Sequence, residues 1–167
     1  VLAIDEDTSI EVALMNQISD VDDTVSNSMA ITITSITGRG SFSECAEVVS
    51  YCERTSLTVG SALKNPEWRF TFVPLKDENG DNYATITFVV NDGHDNSIPY
   101  TITINVRPVN DPPVINPFYN VLPGRVDMDE DTVLELSWNV TDIDSPLNTL
   151  RTFITSRLPT NAQMYVC

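Results

Sequence analysis

Acidic side chains in this chain are grouped in short motifs at predicted turns and strand ends, where they offer oxygen atoms to a metal ion. Two Asp-x-Asp loops, Asp20–Asp22 and Asp142–Asp144, can each turn two carboxylates toward one point. Asn110–Asp111 and Asp92 add oxygen atoms beside further turn residues. Calcium takes about six to eight oxygen ligands, mainly from carboxylates and carbonyls, in a tolerant geometry. These motifs therefore indicate calcium as the candidate ligand.

The overall charge agrees with a cationic ligand. The chain has 24 Asp and Glu residues against nine Lys and Arg residues, which gives a formal net charge of −15. This excess disfavours nucleic acid and anionic membrane surfaces as partners, because the protein would release no counterions from either. Clustered acids favour a divalent cation, and high solubility alone is the alternative explanation. No apolar run approaches the roughly 20 residues that a membrane span needs, so we expect no membrane insertion by this segment.

Catalytic motifs are missing from the sequence. His94 is the single histidine and lies in a polar stretch, which favours a solvated loop residue over a general base. The sequence contains no glycine-rich phosphate loop and no nucleophile elbow. No pattern sets two carboxylates apart as a glycosidase requires. We therefore expect a protein that is not an enzyme.

Alternating apolar residues predict β-strands along most of the first 109 residues. The clearest pair is 84–90 and 100–106, where Ala, Ile, Phe, Tyr and Val alternate with polar residues. The Asp-Gly and Pro residues between them predict a surface connection. About seven short strands without an amphipathic helix indicate an all-β fold, a Greek-key β-sandwich. The other strands are predicted in the opening segment, through Ile10, Val12 and Leu14, and at 29–36, 57–63 and 68–73, with an irregular loop at 38–53.

Three aromatic residues, Trp68, Phe70 and Phe72, alternate along one predicted strand and therefore share one face. The favoured interpretation is that they belong to the hydrophobic core. A carbohydrate-binding aromatic platform is the alternative.

The sequence also repeats itself. Ile4–Thr8 returns as Met128–Thr132, and the loop Asp20–Asp22 returns as Asp142–Asp144, at offsets of 124 and 122 residues. Recurrence of several blocks in the same order is typical of tandem copies of one module. Two further blocks follow the same order: residues 31–35 resemble 152–156, and Cys45 falls opposite Cys167.

The repeat predicts the domain organisation. A complete repeat is predicted at 1–109, an Asn-Asp-Pro-Pro linker at 110–117, and the N-terminal part of a second repeat at 118–167. Two prolines make the linker extended and stiff. Because the second repeat stops less than halfway, we expect the chain to be a piece of a longer protein.

The cysteines are interpreted through the same repeat. Cys45 and Cys52 bracket a short segment, and we predict a disulfide between them. Cys167 would then await the missing counterpart of Cys52, which favours an oxidising, extracellular location. Buried thiols in a reducing compartment are the alternative. Asn139 begins a glycosylation sequon, which agrees with secretion.

Several motifs together are similar to one known family. The segment 75–93, LKDENGDNYATITFVVNDG, resembles the cadherin stretch that runs from Leu-Asp-Arg-Glu through a strand to Asp-Gly. The Asp-x-Asp loops resemble that family's Asp-Ala-Asp loop, and VNDPP at 109–113 resembles its Asp-x-Asn-Asp-Asn linker. Over most of its length the chain therefore resembles the cadherin-like tandem repeats of large extracellular surface proteins.

The resemblance implies that calcium is held at the junctions between repeats. At the junction within this chain the implied ligands are Glu6 and Glu78 from the first repeat, Asn110 and Asp111 from the linker, and Asp142 and Asp144 from the second repeat. By the same resemblance, Asp20, Asp22 and Asp92 would bind toward a preceding repeat, and Glu130 would lie at the far end of the second repeat.

Three positions depart from the family pattern. Pro108 and Pro112 replace an acid and an Asn of the linker, and Lys76 replaces the first acid of the Leu-Asp-Arg-Glu segment, beside Asp77. A junction short of these ligands is expected to bind fewer calcium ions or to bind them less tightly. A metal-free array that is stiffened by prolines is the alternative.

The expected function is mechanical. We expect an extracellular or cell-surface structural repeat, which serves as a spacer, a stalk or a filament-building module and is stiffened at its junctions by calcium and proline. Its expected partners are neighbouring repeats of the same chain, and other copies in a filament or a cell-surface protein. The alternative is an adhesin module that binds a protein or glycan through the 38–53 loop.

Overall fold

Two long neighbouring strands, Gly80–Asn91 and Tyr100–Arg107, lie side by side in the larger sheet of the fold. The computed structural model describes residues 1–21, 29–45, 54–65, 67–117, 129–133, 138–146 and 149–153. A single turn of 3₁₀ helix, Met15–Gln17, follows the second strand. The strands in chain order are β1 (Leu2–Asp5), β2 (Ile10–Ala13), β3 (Ala30–Gly38), β4 (Ser41–Cys45), β5 (Arg54–Ser56), β6 (Ala62–Leu63), β7 (Arg69–Val73), β8 (Gly80–Asn91), β9 (Tyr100–Arg107), β10 (Val114–Pro117) and β11 (Trp138–Thr141).

The larger sheet has five strands in the order β1–β9–β8–β3–β6. Strand β1 runs parallel to β9, whereas the other neighbours are antiparallel. The register places Ile86 opposite Ile102 and Thr87 opposite Thr101. Since side chains alternate between the two faces of a strand, this register collects the apolar residues on one face and threonines on the other. On the threonine face, the Thr87 and Thr101 hydroxyls lie 2.8 Å apart.

The smaller sheet has four antiparallel strands in the order β2–β7–β4–β5, and its inner face carries the aromatic part of the core. Phe70 and Phe72 of β7 are 1% and 0% exposed, and the Phe42 ring of β4 lies 4.8 Å from that of Phe72. Phe72 also meets Tyr83 of the larger sheet at 6.3 Å. The two apolar faces therefore pack together in a sandwich-like arrangement, and burial of each such ring contributes about 1.5–3 kcal/mol.

The all-β, sandwich-like architecture that the sequence predicts is confirmed among the described residues. Trp68 is buried together with Phe70 and Phe72, so the core interpretation of these aromatic residues is confirmed. Trp68 itself adopts a positive φ of 48° immediately before β7. That conformation is uncommon for a bulky residue, and the alternation of the sequence gives no indication of it.

Two local predictions are wrong. The predicted strand at 57–63 is interrupted by a turn in which the amide of Ser61 donates to the carbonyl of Thr58 at 2.9 Å, so only short strands β5 and β6 flank it. The predicted irregular loop at 38–53 begins with a tight turn and strand β4. Gly38 and Gly40 make that turn possible because both have φ near +90°. Residues 46–53 lie outside the described residues.

The chain divides into two compact units, Val1–Val109 and Asn110–Cys167. The first unit contains β1 to β9. In the second unit, β10 pairs antiparallel with β11, and Ile115 lies opposite Val140. The assignment of 110–117 as a linker and of 118–167 as part of a second repeat stays a prediction. Among the described residues, no helix has the length and apolar character needed to cross a membrane.

Candidate functional site

The acidic turn after β1 has a defined backbone geometry, and the same geometry recurs in the second unit. In the first turn the Thr8 hydroxyl donates to the carbonyl of Asp5 at 2.6 Å, and Asp7 has a φ of +58°. In the second turn the Thr132 hydroxyl donates to the carbonyl of Asp129 at 2.6 Å, and Asp131 has a φ of +57°. Asp tolerates this left-handed conformation better than most residues. The repeated sequence block therefore has repeated local structure.

Glu6 occupies the centre of the first turn and is only 3% exposed. Its Oε1 accepts a hydrogen bond from the amide of Val109 at 2.6 Å, and its Oε2 accepts one from Nδ2 of Asn79 at 3.3 Å. Burial of a carboxylate is costly unless hydrogen bonds compensate, and these two donors supply that compensation. Glu6 thus ties the turn to the end of the first unit, at the residue that precedes Asn110.

Asp7 and Asp77 bring two carboxylates together beside Glu6. The amide of Asp77 donates to Oδ1 of Asp7 at 3.0 Å, and a carboxylate oxygen of Asp7 lies within 4.8 Å of one from Asp77. Asp77, like Asp7, has a positive φ, at +57°. Lys76 forms an ion pair with Asp77 at 2.8 Å, but its side chain is 82% exposed, so the contact is screened by water. Two close carboxylates favour a cation between them.

Glu78 has other partners, although the resemblance to cadherin-like repeats groups it with Glu6. Its Oε1 accepts from Nη1 of Arg39 and its Oε2 from the hydroxyl of Tyr83, each at 2.8 Å. The Arg39 hydrogen bond, followed by that of Tyr83, holds the pKa of Glu78 below its ordinary value. Burial, followed by the hydrogen bond to Glu78, raises the pKa of Tyr83. Arg39 therefore already compensates the negative charge of Glu78. Asp7, in contrast, is not paired with any cationic side chain in the described part of the first unit.

The second unit carries its own acidic group, in which residues of the linker and of the Asp-x-Asp loop meet. The amide of Asp111 donates to Oδ2 of Asp144 at 2.6 Å. Asp142 stabilises its own loop, because its Oδ1 accepts from the amides of Asp144 at 3.0 Å and Ser145 at 2.7 Å. Asn110 donates through Nδ2 to the carbonyl of Asp111 at 2.8 Å. Four predicted ligands are therefore brought together, while Glu130 lies exposed in the turn at 129–132.

The ligands predicted to face a preceding repeat lie at the other end of β9, away from Glu6. Asp92 and Asp20 both line a cavity of about 810 Å³ at that end of the first unit. Oδ1 of Asp92 accepts from the amides of Asp95 at 2.8 Å and His94 at 2.7 Å. These backbone donors hold the pKa of Asp92 below its ordinary value. His94 is exposed in this loop, and Asp22 lies outside the described residues.

The remaining predicted sites are only partly described. Cys45 ends β4 and is disulfide-bonded. Cys52 and Cys167 lie outside the described residues, so the Cys45–Cys52 pairing stays a prediction. Asn139 is exposed on β11, as a glycosylated residue must be, and its modification also stays a prediction.

Asp7, Asp77 and Asn79 are the candidate ligands that the sequence interpretation omits. Asp7 stands in the repeated block Ile4–Thr8, and Asp77 and Asn79 stand in the segment that resembles the cadherin motif. The sequence shows these acidic and amide side chains, but it does not show that they lie close together in space. The signal was the residue type at a turn, because Asp adopts positive φ more readily than most residues, as Asp7 and Asp77 do.

Comparisons with known proteins find similarity over part of the chain. Integrin beta-like protein A of Dictyostelium discoideum is 36% identical over 115 residues, which cover 59% of this chain and 6% of that protein. Integrin beta-like protein B of the same organism is 36% identical over 110 residues, which cover 59% of this chain and 5% of that protein. The chain therefore spans a small part of each relative.

No protein-family model matches the chain, and no solved structure matches it. The resemblance to cadherin-like repeats is accordingly not confirmed. The comparisons support the broader statement that the chain is similar, over part of its length, to integrin beta-like proteins.

Proposed function

We propose that this chain is part of an extracellular, non-enzymatic array of β-sandwich repeats that acts as a spacer, stalk or filament-building module. The similarity to integrin beta-like proteins supports an adhesion-related role at the cell surface. The disulfide at Cys45 supports an oxidising, extracellular location. Neighbouring repeats of the same chain are its first partners, and other copies are partners in a filament.

The strand order supports the finer fold assignment, a Greek-key sandwich of the cadherin or immunoglobulin type. Consecutive strands change sheets: β2 belongs to the smaller sheet, β3 to the larger and β4 to the smaller again. Strand β1 joins the edge of the larger sheet in parallel with β9. Crossovers of this kind are typical of Greek-key sandwiches, and a simple meander would not produce them.

Calcium is the proposed stiffening ligand, and the observation that carries it is the carboxylate pair Asp7–Asp77 beside buried Glu6. The second unit supplies Asp111, Asp142 and Asp144 around its linker. Calcium bound to such groups would neutralise their repulsion and fix the linker. Pro112 and Pro113 restrict the same linker without a metal, so the two means of stiffening act together.

The test is calorimetric titration of the chain with calcium. Asp7→Asn together with Asp77→Asn is expected to weaken binding about tenfold or more, because two charged ligands are lost. The matched control is Glu11→Gln with Glu67→Gln, which removes the same charge from two acids that instead contact Arg69. Unchanged affinity in the first variant, or an equal loss in the control, would refute this site.

The mechanical role requires a second measurement. Small-angle scattering of the chain in calcium and in chelator should give a longer maximum dimension in calcium, and the Asp111→Asn/Asp144→Asn variant should remove the difference. An identical scattering profile in both conditions would leave the prolines as the means of stiffening.

A further inference from the structure

The groove at the end of the first unit opposite Glu6 lies between the edges of the two sheets. On one side are Ile18 and Ser19, which continue from β2 of the smaller sheet, and on the other are Ile98 and Tyr100, which lead into β9. Ile98 is 87% exposed and Tyr100 is 63% exposed. Exposed large apolar residues around a cavity of about 810 Å³ indicate a binding surface.

Backbone groups at this groove are arranged for another strand. Ile18 is extended, with φ −108° and ψ 132°. Strand β1 pairs with β9 only from Ile104 onward, which leaves 100–103 of β9 without a neighbour on that side among the described residues. Within the same described part of the chain, no strand pairs with Ile18 and Ser19. A peptide strand can add to such an edge through main-chain hydrogen bonds.

The second unit shows what lies beside the equivalent segment. By the offset of 122 residues, Gln17, Ile18 and Ser19 correspond to Asn139, Val140 and Thr141 of β11. The two triplets have the same burial pattern, since their middle residue is half-buried and the outer residues are exposed. Their backbones differ at the first position, because Gln17 ends a 3₁₀ turn whereas Asn139 lies in β11. In the second unit, this segment pairs with β10, which immediately follows the linker.

We propose that the groove of the first unit binds a linker strand that is equivalent to β10 (Val114–Pro117) and is supplied by a preceding repeat. The strand lies antiparallel to Ile18 and Ser19, which follow the 3₁₀ turn Met15–Gln17, and then crosses between the sheets toward β1. Its apolar side chains cover Ile18 and Ile98. This inference rests on the proposed tandem array, but it does not depend on calcium.

A fluorescent peptide with the sequence of residues 112–120, PPVINPFYN, tests the proposal in trans against the whole chain in chelator. The peptide omits Asp111, so the titration is independent of the calcium site. Saturable binding is expected, and a peptide with Asp in place of both Val114 and Ile115 should not bind. Ile98→Asp should weaken binding about tenfold or more, because an apolar contact is replaced by a charge.

Val59→Asp is the matched control, since Val59 is 62% exposed and does not line the groove. Both variants alter exposed residues, and equal thermal midpoints will establish that both are folded. A second measurement uses an extended chain, in which residues 110–124 are joined ahead of Val1 at the spacing that the repeat gives. This extension should raise the thermal midpoint and prevent peptide binding.

The proposal is overturned if the peptide does not bind and the extension leaves the midpoint unchanged. It is also overturned if Ile98→Asp and Val59→Asp affect binding equally. Concentration-dependent dimerisation that Ile98→Asp removes, without peptide binding, would instead assign the groove to a second copy of the chain. None of these outcomes would alter the calcium titration of the Asp7 and Asp77 variant, so the two ideas fail separately.

Discussion

The two ends of the first unit are built from different chemistry, although β1 and β9 connect them directly. At the acidic end, Glu6 is buried, its carboxylate is hydrogen-bonded, and Asp7 and Asp77 lie close together. At the groove end, Ile98 and Tyr100 are exposed around a cavity. The acidic end suits a cation, whereas the exposed apolar side chains of the groove end, which lie beside Asp20 and Asp92, suit a peptide strand. The first unit therefore has two chemically distinct ends.

The largest expected difference between the two ends comes from their glycines. A Cβ on Gly38 would lie 2.2 Å from the carbonyl oxygen of Tyr83, beside the acidic end, whereas a Cβ on Gly93 would have no neighbour within 4 Å. Both residues have positive φ. Gly38→Ala should therefore lower the free energy of unfolding by about 3 kcal/mol or more, and Gly93→Ala by only about 1 kcal/mol. Urea denaturation measures both, and equal losses would show that the acidic end is no more tightly packed than the groove.

The next effect tests the buried carboxylate of the acidic end. Glu6→Ala removes the acceptor for Val109 and Asn79 and should cost about 2 kcal/mol of stability. Glu6→Gln keeps one acceptor oxygen and should cost less than half as much. Chemical denaturation of both variants in chelator separates this structural role from calcium binding. If Glu6→Gln is as destabilising as Glu6→Ala, the negative charge rather than the acceptor geometry is what matters.

A smaller effect concerns repulsion between the neighbouring carboxylates. Asp7→Asn keeps an oxygen for the amide of Asp77 but removes one negative charge, so it should stabilise the chain in chelator by less than about 1 kcal/mol. In excess calcium the same change should destabilise it, because a ligand is lost. Asp95→Asn, an exposed acid at the groove end, serves as the control and should show no change of sign. Thermal midpoints in chelator and in calcium are compared, and a midpoint shift of the same sign in both conditions contradicts the calcium site.

The smallest effect concerns the loss of folding stability at acidic pH. Glu78 at the acidic end and Asp92 at the groove end both have a pKa below the ordinary value when folded. Each therefore contributes stability that is present above its ordinary pKa and is lost as the pH falls through the lower folded value. Glu78→Gln and Asp92→Asn should each flatten the loss of stability between about pH 5 and pH 2.

Salt should separate these two groups. Glu78 depends on the exposed Arg39, so about 1 M salt should reduce its contribution. Asp92 depends on backbone amides at short range, and its contribution should persist. Denaturation at several pH values with and without salt provides the comparison. Equal salt sensitivity would mean that both groups respond to the general negative charge of the chain.

The sequence shows most of the acidic residues of the candidate site, but it does not show which of them lie together in space. The resemblance to cadherin-like repeats implies that Glu6 and Glu78 lie together, yet Glu78 contacts Arg39 and Tyr83. Asp7 and Asp77 lie close together instead. Arg39 stands 39 residues from Glu78, and no local pattern links the two. In the second unit the amide of Asp111 donates to Asp144, and the resemblance to cadherin-like repeats implies that these two residues meet at one junction. The role of calcium there stays a prediction.

By itself, the sequence determined the all-β character, the aromatic core of β7 and the recurrence of the acidic turn. These features follow from periodicity and from the φ preferences of Asp and Gly, which act over a few residues. Only the tertiary structure decided that 38–45 forms a turn and a strand, that Arg39 pairs with Glu78, and that Ile98 and Tyr100 are exposed beside a groove at one end of the first unit. Such features depend on which distant strands become neighbours, and on the packing that this forces on side chains far apart in the sequence.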